Sequence, residues 1–135
     1  MAGGRATVCL GDDGIVYVRM LPGTELDDTD ARAIMAAVNA ACAGRRRPLL
    51  VDLTGLGSVT PAARWVFSVP SRAAAQALFG ASPVERVIAS FFMTLNPMPC
   101  PTAFFARREA AREWLLAKDW GEDGGSAQAI CRTSG

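Results

Sequence analysis

The run Leu49-Leu50-Val51-Asp52-Leu53 constrains the fold more than any other stretch of this chain. Four of its five residues are apolar, and they do not alternate with polar ones, so both faces of an extended segment here need cover. Pro48 leads into the run and Thr54-Gly55-Leu56-Gly57-Ser58 follows it, which leaves a segment of strand length rather than helix length. A strand buried on both faces belongs to a parallel sheet with helices packed on each side. With 135 residues and 14.2 kDa there is room for one such domain and not two. A chain of this size buries enough surface to fold without disulfides or a structural metal.

The flanking segments supply the remaining elements. Ala6–Leu10 and residues 15–20 are rich in β-branched residues and are joined by Gly11-Asp12-Asp13-Gly14, which predicts an antiparallel hairpin. Val16, Val18 and Met20 share one face of the second strand, with Ile15, Tyr17 and Arg19 on the other. Asp27 is the candidate N-cap of a helix with Asp28 and Asp30 in its first turn and Ile34, Met35, Val38, Ala41 and Cys42 along its core stripe. Gly44 ends it, and Arg45, Arg46 and Arg47 read as a solvated cluster past the helix C-terminus. Thr60-Pro61 opens a second helix as N-cap and first helical residue, and Val69-Pro70 closes it.

Ala73–Phe79 is ambiguous: its alanines favour a helix. Yet Ser82-Pro83-Val84-Glu85, a capping box with proline at the first helical position, starts a new helix almost at once. In that helix Val84, Val87, Ile88, Phe91, Phe92 and Leu95 form a broad apolar arc, with Met93 nearly opposite. The proline run at 97–101 permits neither helix nor inner strand. A short strand at 102–105 and a helix at 107–118, with Ala110, Ala111, Trp114 and Leu115 inward, complete the domain at residues 1–118. Residues 119–135 are rich in Gly, Ser, Asp and Glu and read as a mobile tail. The expected fold class is α/β: a mixed, mostly parallel sheet of about five strands with about four helices.

Composition narrows the chemistry. Lys and Arg number 14 against 13 Asp and Glu, so nothing marks the chain as a binder of nucleic acid or of acidic lipid. Histidine is absent, which removes every His-based triad and metal site. Cys9, Cys42, Cys100 and Cys131 form no CxxC pair and read as reduced thiols of a cytoplasmic protein. No stretch is long and apolar enough to span a membrane, and the N-terminal residues carry no signal-peptide pattern. No metal and no cofactor is expected.

Three segments resemble the small bacterial SpoIIAA-like proteins of STAS/SEC14-type fold. They are residues 49–56, residues 89–96 (Ala-Ser-Phe-Phe-Met-Thr-Leu-Asn), and Pro101-Thr102-Ala103-Phe104-Phe105 with the Ala110-Ala111-Arg112-Glu113-Trp114-Leu115 that follows. The resemblance implies that Ala73–Phe79 is a strand. It also implies a place for the phosphorylatable serine of anti-sigma-factor antagonists, at the start of the helix after the Val-Asp-Leu strand. That place holds Thr60-Pro61-Ala62-Ala63, with proline where the serine would stand. Ser58 and Thr60 are the remaining hydroxyl candidates for a phospho-switch; a plain N-cap is the competing role of Thr60.

Asp52, at the end of a central strand, is a candidate base or a loop-organising carboxylate, and Gly55 and Gly57 belong to the same loop. Gly55-x-Gly57 lacks the lysine and spacing of a nucleotide loop. Met93, Leu95, Met98 and Cys100 form a candidate interface or ligand patch. Two functions stay open. One is a non-enzymatic regulatory module whose partner is a second copy or another protein; the other is a small carrier or sensor of an apolar ligand, by analogy with related lipid-binding folds.

Overall fold

The computed structural model describes residues 6–67, 73–95 and 100–117. Strands β1 (Ala6–Leu10), β2 (Val16–Met20), β4 (Arg47–Asp52), β6 (Ala73–Phe79) and β7 (Thr102–Phe105) form one sheet in the order β1-β2-β4-β6-β7. The β1–β2 hairpin is antiparallel and the other three pairings are parallel. The helices are α1 (Asp28–Cys42), α2 (Pro61–Phe67), α3 (Pro83–Leu95) and α4 (Arg108–Leu116). The α/β expectation therefore holds, with five strands in the main sheet and four helices among the described residues.

Alternation along the strands divides the interior in two. Val16, Val18, Met20, Leu49, Val51 and Leu78 face α1 and α3 in the larger core. Ile15, Leu50, Ala75 and Ala77 face α4, meeting Ala111, Trp114 and Leu115. The inward set of α4 is thus largely the one that its sequence predicts. Capping at α1 is reciprocal: Asp27 accepts from the Asp30 N–H at 2.9 Å, and Asp30 accepts from the Asp27 N–H at 3.3 Å. Ala31 and Ala63 bring α1 and α2 close together, with Val66 beside them.

The alanine-rich segment is a strand, and its alanines explain how. Ala75 and Ala77 are fully buried under α4, where large side chains would hold the helix away from the sheet. Packing overrides helix propensity here. Arg47 pairs with Ala73 and Pro48 with Ala75, so Ala74 is the extra residue of a bulge. The bulge sits beside Pro48, which has no N–H to give an inner strand.

Three expectations need correction. Arg47 is not a solvated end charge: it is buried as the first residue of β4, and its Nε donates to the Cys42 carbonyl at 3.3 Å. That carbonyl lies in the last turn of α1, where a cation is favoured. Met93 does not turn away from the interior but packs, half-buried, against the larger core. Val84 and Val87 lie outside the buried arc of α3, at 56% and 64% exposure, while Ile88 and Ala89 face inward. The buried stripe of α3 runs through Glu85, Ile88, Ala89 and Met93, turned away from the face that carries the two valines. Leu95 lies in α3, but its side chain falls outside the described residues, as do Met98 and the whole of 119–135.

A feature that the sequence did not suggest joins two loops. β3 (Glu25–Leu26) and β5 (Ser58–Val59) pair in parallel as a second, two-stranded sheet. Gly23 N–H donates to the Gly55 carbonyl at 2.7 Å, and Gly57 N–H donates to the Thr24 carbonyl at 2.9 Å. Gly55 has φ of +79°, and a Cβ there would lie 2.9 Å from Pro22 Cβ. Gly55→Ala should destabilise the domain by about 1–3 kcal/mol, read as a lower urea midpoint at constant slope.

Candidate functional site

The inner face of the sheet and the helices above it line a partly open apolar cavity of about 60 Å³. Val18, Met20, Leu49, Val51 and Leu78 form its floor. Ile34, Met35 and Val38 of α1, Phe67 of α2, and Ile88 and Ala89 of α3 line it from the helix side. Leu26, Leu53, Leu56 and Val59 close the end at the two-stranded sheet. The period-2 alternation of β2, β4 and β6 makes the floor apolar, and Ala89 contributes little volume where α3 passes over it.

One wall is polar. Gln76 of β6 and Cys100 line the cavity among these hydrocarbon side chains. Gln76 Nε2 donates to Thr102 Oγ1 at 3.2 Å, and Thr102 Oγ1 donates to the Cys100 carbonyl at 2.9 Å. Burial pushes the Cys100 thiol up, against smaller opposing effects of Thr102 and of the nearby Arg46, so it stays protonated near neutral pH. Cys100 of the candidate patch therefore reaches this cavity, and Met93 packs against the same core.

The other candidates gather at the C-terminal ends of the strands. Asp52 Oδ1 accepts from the Thr54 N–H at 2.9 Å. Thr60 Oγ1 accepts from the Ala63 N–H at 3.1 Å, the geometry of a cap on α2. Ser58 Oγ donates to Glu25 Oε2 at 3.3 Å across the small sheet. Gly55 and Gly57 let that sheet's two loops touch. Among the described residues no group of three or more Cys, Asp or Glu side chains is placed to hold a metal.

Two residues take roles beyond those that the sequence assigns them. Glu85 is buried, and its carboxylate accepts from the backbone N–H groups of Ser82, Ala81 and Gly55 at 2.9, 3.0 and 3.2 Å. The capping-box spacing signalled its reach to Ser82; nothing local signalled Gly55, thirty residues upstream. Hydrogen bonding, first from the Ser82 hydroxyl and then from these amides, outweighs burial and holds Glu85 below the usual carboxylate range. The second is Gln76, whose signal was its isolation as the lone polar residue of an otherwise apolar strand.

This architecture defines a SpoIIAA-like α/β domain. A solved structure of similar shape is an uncharacterised protein of the DUF3478 family from Shewanella loihica PV-4, described as having a SpoIIAA-like fold. It is 19% identical, the match covers 85% of this chain and 98% of that one, and the TM-score is 0.56. A protein of unknown function from Arthrobacter sp. FB24 is 38% identical over 83% of this chain and 100% of its own, at a TM-score of 0.33. No curated protein matches. Residues 9–118 match the domain of unknown function DUF7793, and the chain belongs to that family.

Proposed function

We propose that the domain is a non-catalytic binding module that receives an apolar small molecule between its sheet and helices. The observation that carries this reading is the cavity, whose described lining residues are apolar except at Gln76 and Cys100. An apolar void left empty weakens a core by about 24 cal/mol per Å³, so a ligand that fills it stabilises the fold. The residues that a catalytic reading would recruit are engaged elsewhere: Asp52 with its own loop, Thr60 with α2, Ser58 with Glu25. A phosphate on Ser58 would stand against the Glu25 carboxylate, and Pro61 offers no hydroxyl, so the reading includes no phospho-switch. A cytoplasmic setting suits the thiols of Cys9, Cys42 and Cys100, which form no disulfide.

Methyl NMR with n-hexane tests the ligand reading. The expected result is saturable shifts of the Val51, Leu78 and Ile88 methyl signals, and their loss in a folded Ala89→Met variant whose longer side chain occupies the space. Shifts that are absent, or unaltered by Ala89→Met, would overturn it.

A second reading rests on a different observation. Val84 and Val87 are exposed one turn apart on α3 and offer a surface to a second copy or to another protein, as a regulatory module requires. Sedimentation of the parent and of Val87→Asp measures this directly; a dimer in the parent that dissociates in the variant supports it.

A further inference from the structure

We infer that the cavity selects an uncharged ligand, a short alkyl chain ending in a hydroxyl, over a fatty carboxylate or a phosphate-bearing lipid. The inference rests on the reading of the cavity as a ligand site and adds the chemistry of the head group. Among the described residues that line the cavity none carries a charge. A carboxylate drawn inside would shed its hydration without meeting a cation, which costs far more than the chain's burial returns. The volume of about 60 Å³ is well below the roughly 150 Å³ of an apolar cavity known to hold benzene, so it admits a chain end rather than a ring.

The orientation of Gln76 supplies the head-group specificity. The single hydroxyl proton of Thr102 goes to the Cys100 carbonyl, so Thr102 Oγ1 can only accept from the amide. That requirement turns Gln76 Nε2 toward Thr102 and fixes Oε1 as the free end of the carboxamide. Among the described residues Oε1 has no donor. A half-buried carbonyl oxygen at an apolar wall, with no protein donor, calls for an O–H. The Cys100 thiol, kept protonated by burial, adds a weak donor and no charge. Arg46 stands near Cys100, with its guanidinium on the Ala73 carbonyl at 3.5 Å, and it is the cation that an anionic ligand would have to use.

Three eight-carbon probes separate the possibilities on the full chain at pH 7.5: 1-octanol, octanoate and n-octane, each titrated by methyl NMR against the parent and against Gln76→Met, which keeps the side chain's length. Octanol should bind about tenfold more tightly than octanoate, and Gln76→Met should lower the octanol affinity about tenfold relative to that of n-octane. Octanoate binding as tightly as octanol would overturn the inference and assign the head group to Arg46, leaving the cavity a ligand site. Octanol affinity unaffected by Gln76→Met would likewise overturn it. If none of the three binds, the proposed function itself fails.

Discussion

Val51→Asp should abolish the folded protein. Val51 lies in the middle of β4, the central strand, paired with Val18 on one side and Leu78 on the other. Its side chain is 7% exposed and forms part of the cavity floor. An aspartate there faces apolar side chains from the sheet and from α1, with no cation among the described lining residues. Burying an unpaired carboxylate costs several kcal/mol, and a domain of this size has only about 5–15 kcal/mol of total stability. The loss of valine packing adds to the deficit. The expected outcome is insoluble protein, or a soluble chain without a cooperative thermal transition. Val87→Asp makes the comparison sharp, because the same change at a position 64% exposed should alter stability by no more than about 0.5 kcal/mol. A Val51→Asp variant that melts like the parent would contradict the burial of β4.

Glu85→Ala should produce the next largest loss. The carboxylate is the common acceptor for Ser82, Ala81 and Gly55, so it ties the start of α3 to the loop that follows β4. Gly80 permits this approach: a Cβ there would lie 2.4 Å from Glu85 Cβ. Removing the carboxylate leaves three partly buried amide donors without their acceptor, at about 1–3 kcal/mol for each that water cannot reach. The effect has a pH signature. Glu85 is held below its usual range in the folded state, so its contribution is fully present above the unfolded carboxylate value and is lost as pH falls through the folded one. The stability gap between the parent and Glu85→Gln should therefore be widest near neutral pH and narrow as pH falls below the unfolded carboxylate value. Urea unfolding from pH 7 down to pH 3 reads it; a gap that is independent of pH would show that Glu85 acts by packing alone.

Much of the larger pattern was legible because it rests on local chemistry. The double-faced run around Val51 announced an inner parallel strand, Asp27 and Asp30 announced the start of α1, and the alternation of Val16, Val18 and Met20 announced the core face of β2. Each of these signals acts within a few residues of itself, through burial periodicity or through a cap that satisfies its own helix. The strand at Ala73–Phe79 was not legible in that way. Its alanines have no intrinsic reason to be extended, and the resemblance to SpoIIAA-like proteins was needed to read it.

The candidate site was less legible, for a physical reason that Met93, Gln76 and Glu85 illustrate. The helical period assigned Met93 an outward direction because it took the most apolar arc, with Val84 and Val87 in it, as the core face. The helix instead presents Ile88, Ala89 and Met93 to the core and leaves Val84 and Val87 in solvent, a rotation about its own axis that only tertiary packing decides. Gln76 acquires its role from Thr102 on the neighbouring strand, and Glu85 from Gly55 across a loop. The sequence by itself determined that this chain makes an α/β domain, where most of its strands and helices begin, and that histidine chemistry is absent. Tertiary structure alone decided that a cavity exists, which polar group stands at its wall and which valines stay exposed. Periodicity specifies a face relative to its own element, whereas a cavity depends on how faces from β2, β4, β6, α1 and α3 fail to fill the space between them.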